Sequence, residues 1–394
     1  MPKRWRIHPH DGDHIARLQQ SAGVSSVVAQ LLICRGICDP GAAREFLDPK
    51  LSNLRDPNLL PDCSAAAERL HEAIKARRSI TVYGDYDVDG ITGTAILLKC
   101  LRLLGAEVNY YVPSRLDEGY GMNHEAVRSL AARGSQVLVT VDCGIASVAE
   151  ARTARAAGID LIVTDHHEPA ERLPEASAIV HPSLPGRDYP FAGLSGSGVA
   201  LKLAWALCQR ASGAKRVSPH MRDFLVSAVG LAAMGTVADV VPLVDENRVL
   251  VRHGLASLKD KPGLGLEALM RVTELNTKPA LDAEDIGFVL GPRLNAAGRL
   301  GQAQLAIELL VTDRPDRAEE LARYLHGLNE SRQTLERSIY LAANKQAKEQ
   351  FNPAEDAALV LADRGWHPGV IGIVAGRLAE KYQRPTILIA QDQL

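Results

Sequence analysis

The residues with the clearest chemical potential are three aspartates at alternate positions, Asp85, Asp87 and Asp89. They follow an apolar run at residues 80–83 and precede a helix-like segment. Carboxylates crowded in this way repel one another unless a positive charge holds them. Oxygen ligands at the end of a strand suit hard divalent cations when other segments supply further ligands. The spacing therefore predicts one part of a cation site.

Further acidic and imidazole side chains fall just after later apolar segments, namely Asp142, Asp165, His166, His167 and Asp239. In an open parallel sheet, ligands bind outside the carboxyl ends of the strands. Carboxylate oxygens with imidazole nitrogen suit Mn²⁺ or Mg²⁺ better than thiolate-bound zinc. Two such ions need a bridging carboxylate, for which Asp142 on a central strand is the natural candidate. Together they would activate a water molecule and neutralise a phosphate.

Each of these residue types also has an ordinary structural use. An aspartate after a strand commonly caps a helix or closes a turn, and adjacent histidines often pack or form hydrogen bonds at a surface. Alternating aspartates also occur in calcium loops, but the downstream glutamate of an EF-hand is missing here. The joint placement of these residues at successive strand ends favours the metal site.

The elements that must position these side chains alternate between strand and helix. Strands are predicted at residues 79–83, 107–112, 136–141, 160–164 and 177–180, and helices between them at 91–104, 123–132 and 146–156. Regular alternation of this kind is typical of right-handed βαβ units. It predicts an α/β fold with a doubly wound, mostly parallel sheet.

Four parts are predicted along the chain: an N-terminal cap (1–60), a catalytic domain with a helical part (61–313), a connecting helix (314–350) and a second α/β unit (351–394). The connecting helix is expected to be long and rigid, because residues 318–350 contain no proline and one glycine. The last part shows a strand, a helix and a strand, at 358–362, 370–382 and 386–390. A single βαβ unit cannot bury both faces of a sheet, so this unit is expected to be incomplete.

The composition is that of a soluble globular protein of more than one domain, with 394 residues, 46% hydrophobic and 23% charged. The formal net charge of −2 gives no overall attraction for nucleic acid, so a polyanion needs a local basic groove or metals. Aromatic residues make up only 4% of the chain, so extended stacking of bases across an aromatic sheet is not expected. Six scattered cysteines, no signal-peptide pattern and no apolar run of membrane-spanning length predict a cytoplasmic protein without membrane contact.

Three motifs resemble those of the DHH phosphoesterase superfamily: Gly-Asp-Tyr-Asp-Val-Asp-Gly at 84–90, Val-Asp-Cys-Gly at 141–144 and Asp-His-His at 165–167. Their order and spacing are similar to those of RecJ-type exonucleases, as are the segments at 113–121 and 291–299. The segment at 365–376 resembles the opening of a DHHA1 domain, of which the chain carries only the start. The resemblance covers about residue 60 to the end.

This resemblance implies a metal-dependent 5′-to-3′ exonuclease of DNA repair and recombination, which hydrolyses single-stranded DNA to 5′-mononucleotides with two Mn²⁺ or Mg²⁺ ions. The metal ligands that it implies are Asp85, Asp87, Asp89, Asp142, His166 and Asp239. It places His167 beside the scissile phosphate, as an orienting residue or general acid. The DNA contacts that it implies are Arg115, Arg293, Asn295 and Arg299.

The resemblance also suggests a single-strand-binding protein and a RecQ-type helicase as partners, and a monomer. Two other functions stay open: a DHH-type phosphodiesterase for short oligonucleotides or cyclic dinucleotides, and an inactive, truncated DNA-binding scaffold. The segment at 291–299 favours the exonuclease over the first, and the filled metal positions favour it over the second. Asn295 would bind a phosphate or cap a turn, and the glycines of segment 195–198 suit either anion binding by backbone N–H groups or close helix packing.

Overall fold

The computed structural model of the protein describes residues 10–352 and 355–391. Predictions that fall on the remaining residues lie outside the described part. They concern the beginning of the N-terminal cap and the end of the last α/β unit.

A parallel sheet forms the centre of the larger part of the chain. Its strands are β1 (Ile80–Gly84), β2 (Val108–Tyr111), β3 (Val137–Val141), β4 (Asp160–Thr164) and β5 (Ala178–Val180). They pair in the order β2-β1-β3-β4-β5, and every neighbouring pair is parallel. The predicted strands are confirmed, because none differs from the observed one by more than one residue at either end.

Helices make up most of the remaining described chain. Before residue 190 they are α1 (Gly12–Ala22), α2 (Ser26–Cys34), α3 (Pro40–Leu47), α4 (Cys63–Lys75), α5 (Val88–Leu103), α6 (His124–Ala132) and α7 (Val148–Ala156). After it they are α8 (Gly196–Ser212), α9 (Pro219–Ala238), α10 (Asp245–Asp260), α11 (Leu264–Val272), α12 (Gly291–Arg299), α13 (Ala303–Val311), α14 (Pro315–Gln350) and α15 (Pro368–Tyr382). A short π-helix, Asp285–Leu290, leads directly into α12.

The sheet separates two hydrophobic cores. Side chains alternate along a strand, so β3 contributes to both faces. Val137, Val139 and Val141 pack in the core that includes residues of α4, α5 and α8. Leu138 packs on the other face with residues of α6 and α7. Parallel strands covered by helices on both faces make a doubly wound α/β sheet, and the predicted fold class is confirmed.

Helix α9 has the length and apolar composition of a membrane span, which the sequence analysis did not anticipate. Half of that span is buried inside the protein, and the helix packs against α5, α8 and α10. A helix that is apolar on most sides is typical of the interior of a large domain. We therefore interpret α9 as a core helix, and its end presents Asp239 to the functional site.

A smaller α/β unit lies at the end of the long helix α14. Strands β6 (Leu359–Asp363) and β7 (Thr386–Ala390) pair in parallel, and α15 connects them. One face of this pair packs with α15 and the last turns of α14, around Trp366 and Val370. The other face exposes Val360, Ile387 and Ile389. The strand–helix–strand prediction is confirmed for this segment.

Replacement of Leu138 tests the two-sided core. Leu138→Ala is expected to lower the free energy of unfolding by about 2–5 kcal/mol, because it leaves a cavity between β3 and the helices α6 and α7. Urea denaturation followed by circular dichroism measures this change. The matched control is Leu341→Ala on α14, whose side chain is 59% exposed, and which is expected to change stability by less than about 0.5 kcal/mol. Equal effects of the two substitutions would contradict the assigned packing.

Candidate metal and phosphate site

The strand order places a crevice between β1 and β3. In the order β2-β1-β3-β4-β5 the connections leave β1 and β3 on opposite faces, and ligands bind at such a switch point. Asp85 follows β1, Asp142 follows β3 and Asp165 follows β4, so all three lie at the same edge. The backbone N–H groups of Asp85 and Asp142 continue the sheet pairing, to the carbonyls of Val141 and Thr164. The sheet therefore fixes the backbone positions of Asp85 and Asp142.

Two helix N-termini hold the next pair of carboxylates. Helix α5 begins at Val88 rather than at the predicted residue 91, because Asp87 caps it: its Oδ1 accepts hydrogen bonds from the N–H groups of Asp89 (2.9 Å) and Gly90 (3.1 Å). Asp89 lies in the first turn, where it accepts from the N–H groups of Gly196 (2.5 Å) and Ser197 (3.0 Å) of α8. The positive ends of two helix dipoles thus favour negative charge here. The glycine segment before α8 does bind an anion, and that anion is Asp89.

Two glycines allow the helices to approach these carboxylates. A Cβ atom at Gly196 would lie 2.5 Å from Oδ1 of Asp142, and one at Gly235 would lie 2.2 Å from Oδ1 of Asp89. Neither position has room for a side chain without displacing a carboxylate. Close helix packing and anion binding, the two interpretations of segment 195–198, therefore hold together.

His166 faces three carboxylates at once. Its Nε2 atom lies 3.0 Å from Oδ1 of Asp142, 3.6 Å from Oδ2 of Asp239 and 3.7 Å from Oδ2 of Asp89. The shortest of these contacts lacks the alignment of a hydrogen bond. Oxygen atoms of Asp89 and Asp239 and a nitrogen of His166 lie within 4.8 Å of one another, which makes the first candidate ligand group.

A second candidate ligand group consists of Asp85, Asp87 and Asp142, whose nearest oxygens also lie within 4.8 Å of one another. Asp142 thus contacts His166 of the first group and belongs to the second. Oδ1 of Asp85, Oδ1 of Asp142 and Nε2 of His166 are buried without a hydrogen-bond partner, although buried polar atoms are normally paired. Orphaned oxygen and imidazole donors in two adjoining groups fit a pair of divalent cations. The structure brings together every residue predicted as a metal ligand.

Without cations, protons reduce the repulsion within the cluster. Burial, followed by the charge of Asp87, raises the pKa of Asp85 to about 8. Burial and the charges of Asp89 and Asp87 raise the pKa of Asp239 to about 7. Burial and the neighbouring aspartates also raise the pKa of Asp142 well above its usual value. A divalent cation would relieve the same repulsion without a proton.

His167 is held at the exposed side of the cluster by Asp165. Oδ1 of Asp165 accepts from Nδ1 of His167 at 2.7 Å and from the backbone N–H groups of His166 and His167. This hydrogen bond is the main cause that raises the pKa of His167. Burial alone would raise the pKa of Asp165, but the contacts with His167 and the N–H of Ile145 hold it below its usual value. The pair thus favours the protonated form of His167.

Two further residues contact this pair and were not predicted as site residues. The Tyr120 hydroxyl lies 3.1 Å from Nδ1 of His167 and donates to the backbone carbonyl of Asp142 at 3.2 Å. His181 is fully buried and donates from Nε2 to the backbone carbonyl of His167 at 2.8 Å. Tyr120 lies in the motif at 113–121 and was therefore within reach of sequence analysis. His181 carries no such signal.

The predicted DNA-binding residues divide into two sets. The Arg115 guanidinium lies 5.1 Å from the centre of the Tyr86 ring. Tyr86 is the residue between Asp85 and Asp87 in the sequence. Arg299 donates from Nη1 to the backbone carbonyl of Gly369 at 3.3 Å, and burial and the charges of Arg115 and Arg332 lower its pKa. Arg332, which was not predicted, is mostly buried; it pairs with Glu336 (2.6 Å) and donates to Asn329 (2.9 Å), and its Nε atom has no partner. Clustered guanidinium groups of this kind suit an anion such as phosphate.

Arg293 and Asn295 make internal contacts instead. Arg293 donates to the backbone carbonyl of Val289 (2.7 Å) and to Nδ1 of His326 (3.3 Å). Asn295 accepts from the N–H of Val88 at 3.2 Å, so it caps the first turn of α5. Burial, with a smaller contribution from the charge of Arg332, lowers the pKa of Arg293 as it does that of Arg299, and Asn295 has the capping role that was the alternative to phosphate binding.

Comparison with known proteins agrees with this geometry. The model of the DHH family, N-terminal domain, matches residues 79–229. The single-stranded-DNA-specific exonuclease RecJ of Bacillus subtilis is 41% identical over 390 residues, which are 99% of this chain and 48% of that protein. The protein of the same name from Escherichia coli is 40% identical, over 99% of this chain and 67% of that protein.

A solved structure is similar over almost the whole chain. The crystal structure of RecJ in complex with Mn²⁺ from Thermus thermophilus matches with a TM-score of 0.82 and 36% identity, over 98% of this chain and 54% of that one. The chain thus spans about half to two thirds of the length of the curated relatives that it matches.

The raised pKa of Asp85 predicts an unusual pH dependence of stability. In cation-free protein the folded state keeps this proton up to about pH 8, whereas the unfolded chain releases it near pH 4. The free energy of unfolding therefore falls as the pH rises from about 4 to about 8. Asp85→Asn, which cannot ionise, is expected to raise the melting temperature at pH 8 and to change it little near pH 4. Differential scanning fluorimetry in EDTA measures this shift.

The matched control is Asp165→Asn. Because the pKa of Asp165 is lowered, its ionised form stabilises the fold above about pH 4, and its replacement should lower the melting temperature at pH 8. If Asp85→Asn lowers the melting temperature at pH 8 as Asp165→Asn does, Asp85 is not under the repulsion described above.

Proposed function

The chain belongs to the RecJ family, and from this premise we propose that it is a metal-dependent 5′-to-3′ exonuclease that hydrolyses single-stranded DNA to 5′-mononucleotides. The observation that carries the proposal is the pair of adjoining ligand groups at the β1–β3 crevice, with buried donor atoms that lack partners. Solved RecJ structures contain Mn²⁺ or Mg²⁺. We propose the same ions for this site.

Bound at the two ligand groups, these ions would supply an activated water and charge neutralisation for the phosphate under attack. Asp142 is placed to contact both groups, and the hydrogen bond between Asp165 and His167 keeps His167 oriented at their exposed side. With its raised pKa, His167 is suited to donate a proton to an oxygen of the scissile phosphate group. The Tyr120 hydroxyl limits the rotation of the His167 ring.

The arginine cluster is the proposed grip on the strand. Guanidinium groups bind phosphate oxygens in pairs of parallel hydrogen bonds, and Arg115 and Arg299 lie on the Tyr86 side of Asp87. Phosphate groups held there would place a neighbouring phosphodiester over the ligand groups. This local positive region explains how a chain with a net charge of −2 binds a polyanion.

Family membership alone supports four further proposals. They are a role in DNA repair and recombination, a cytoplasmic location, a monomeric state, and contacts with a single-strand-binding protein and a RecQ-type helicase.

Replacement of Asp142 tests the metal-dependent chemistry. Asp142→Asn is expected to lower hydrolysis of a 5′-phosphorylated single strand in Mn²⁺ by more than about a hundredfold, because the carboxylate that belongs to one ligand group and contacts His166 of the other is replaced by a neutral amide. The release of labelled mononucleotide measures the rate. The matched control is Asp223→Asn at an exposed position of α9, which should retain wild-type activity.

Two results would contradict the proposal. One is undiminished hydrolysis by Asp142→Asn. The other is wild-type protein that cleaves a dinucleotide but no longer strand, which would favour the short-oligonucleotide phosphodiesterase.

A pair of arginine substitutions tests the proposed grip. Arg299→Gln is expected to weaken binding of single-stranded DNA and to reduce the slope of log K against log salt by about 1, because one phosphate contact is lost. Arg222→Gln serves as the control, since Arg222 is exposed in the first turn of α9, at the opposite end of that helix from Asp239, and should leave the slope unchanged. Fluorescence anisotropy with the Asp142→Asn protein, which does not consume the strand, gives both slopes. Equal slopes for the two variants would exclude Arg299 as a phosphate contact.

A further inference from the structure

An apolar groove lies directly beside Asp239. Its walls include Val237, Val240, Phe288 and Pro292, and its volume is about 380 Å³. The polar residues Glu284 and Asn295 also line the groove. The groove forms where the end of α9 meets the π-helix and the start of α12.

Two of the apolar residues in this groove face solvent. The side chain of Phe288 is 78% exposed and that of Val240 is 84% exposed. Val240 also has a φ of 62°, a left-handed conformation that is unusual for a β-branched residue. Phe288 projects from the π-helix, an irregularity that occurs often at functional sites. Single exposed apolar residues are common on protein surfaces, but here two of them line one groove.

The groove borders the proposed metal site through the neighbours of Asp239 in the chain. Asp239 of the first ligand group lies between Ala238 and Val240, which both line the groove. Asn295 also lines it and caps the turn of α5 that carries Asp87. Helix α12 runs from the groove at Pro292 to Arg299 at its last residue. Pro292 of the groove and Arg299 thus lie at opposite ends of one short helix.

The chemistry of the groove fits a base rather than a phosphate. Among its lining residues, all in the described part of the chain, Glu284 is the one with an ionisable side chain, so the groove offers no positive charge to a phosphate. Its exposed Phe288 ring and apolar walls offer the stacking surface on which single-strand binding proteins hold bases.

We infer that this groove binds a base of the single-stranded DNA substrate, on the side of the scissile phosphate away from Arg299. The inference rests on the proposed exonuclease function and adds a subsite to it. It requires one stacked base only, which agrees with the low aromatic content.

An abasic scan combined with Phe288→Ala tests the inference. A set of 5′-phosphorylated strands carries one abasic site at successive positions from the 5′ end. With wild-type protein, one position is expected to show binding and kcat/KM about tenfold weaker, because one stacked base is lost. Phe288→Ala should weaken binding of the intact strand by about the same factor. In the Phe288→Ala protein, an abasic site at that position should weaken binding no further, because the substitution and the missing base remove the same contact.

Two control variants separate stacking from a structural effect. Phe288→Trp retains an aromatic surface and should restore the wild-type abasic profile. Leu341→Ala, at an exposed position on α14 away from the groove, should leave the profile unchanged. Additive penalties of the abasic site and Phe288→Ala, or a wild-type profile in Phe288→Ala, would overturn the inference. A wild-type dimer that Phe288→Ala dissociates in analytical ultracentrifugation would overturn it too, since the groove would then bind a second copy.

Hydrolysis and binding are both measured on the same strands. Hydrolysis tests the exonuclease proposal, and the coupling of Phe288 to one base in binding tests the groove inference. Wild-type hydrolysis without coupling between Phe288 and any base would refute the groove inference and leave the exonuclease proposal standing. Binding that shows this coupling, in protein that hydrolyses no strand, would refute the exonuclease proposal and leave the groove standing.

Discussion

Five carboxylates converge at the edge of the parallel sheet, three of them around the His166 imidazole, and their mutual repulsion is the constraint that the surrounding structure must satisfy. Backbone N–H groups satisfy part of it. The start of α5 binds Asp87, and the start of α8 binds Asp89. Oδ1 of Asp85 and Oδ1 of Asp142 are buried without a hydrogen-bond partner, and a proton or a cation would stabilise them there. The cluster is therefore organised for positive charge that the chain itself does not provide.

The fold supplies the rigidity that this arrangement needs. Asp85 and Asp142 continue the hydrogen-bonding of neighbouring strands, whose side chains fill cores on both faces of the sheet. Helices α8 and α9 approach the carboxylates closely because Gly196 and Gly235 leave no side chain in the way. The apolar helix α9 is buried along half of its membrane-length span, and its end carries Asp239. Ligand positions set by strands and packed helices are more precise than positions on mobile loops.

The order of strands and helices was predictable because hydrophobic periodicity and glycine or proline breaks mark each element locally. The start of α5 was misplaced by three residues, since the sequence pattern did not reveal that Asp87 caps the helix. Contacts between distant segments left no local signal. Arg293 and Arg299 are separated by six positions, yet Arg293 contacts Val289 and His326 whereas Arg299 contacts Gly369. Arg332 reaches the cluster from α14.

The central claim is that the β1–β3 crevice holds two divalent cations that share Asp142. Anomalous X-ray diffraction at the manganese absorption edge, from crystals grown with Mn²⁺, tests it most directly. The predicted result is two anomalous peaks, one among Asp85, Asp87 and Asp142 and the other among Asp89, His166 and Asp239, with Asp142 in contact with both. An acidic cluster without an anomalous peak, at a manganese concentration that supports hydrolysis, would contradict the account.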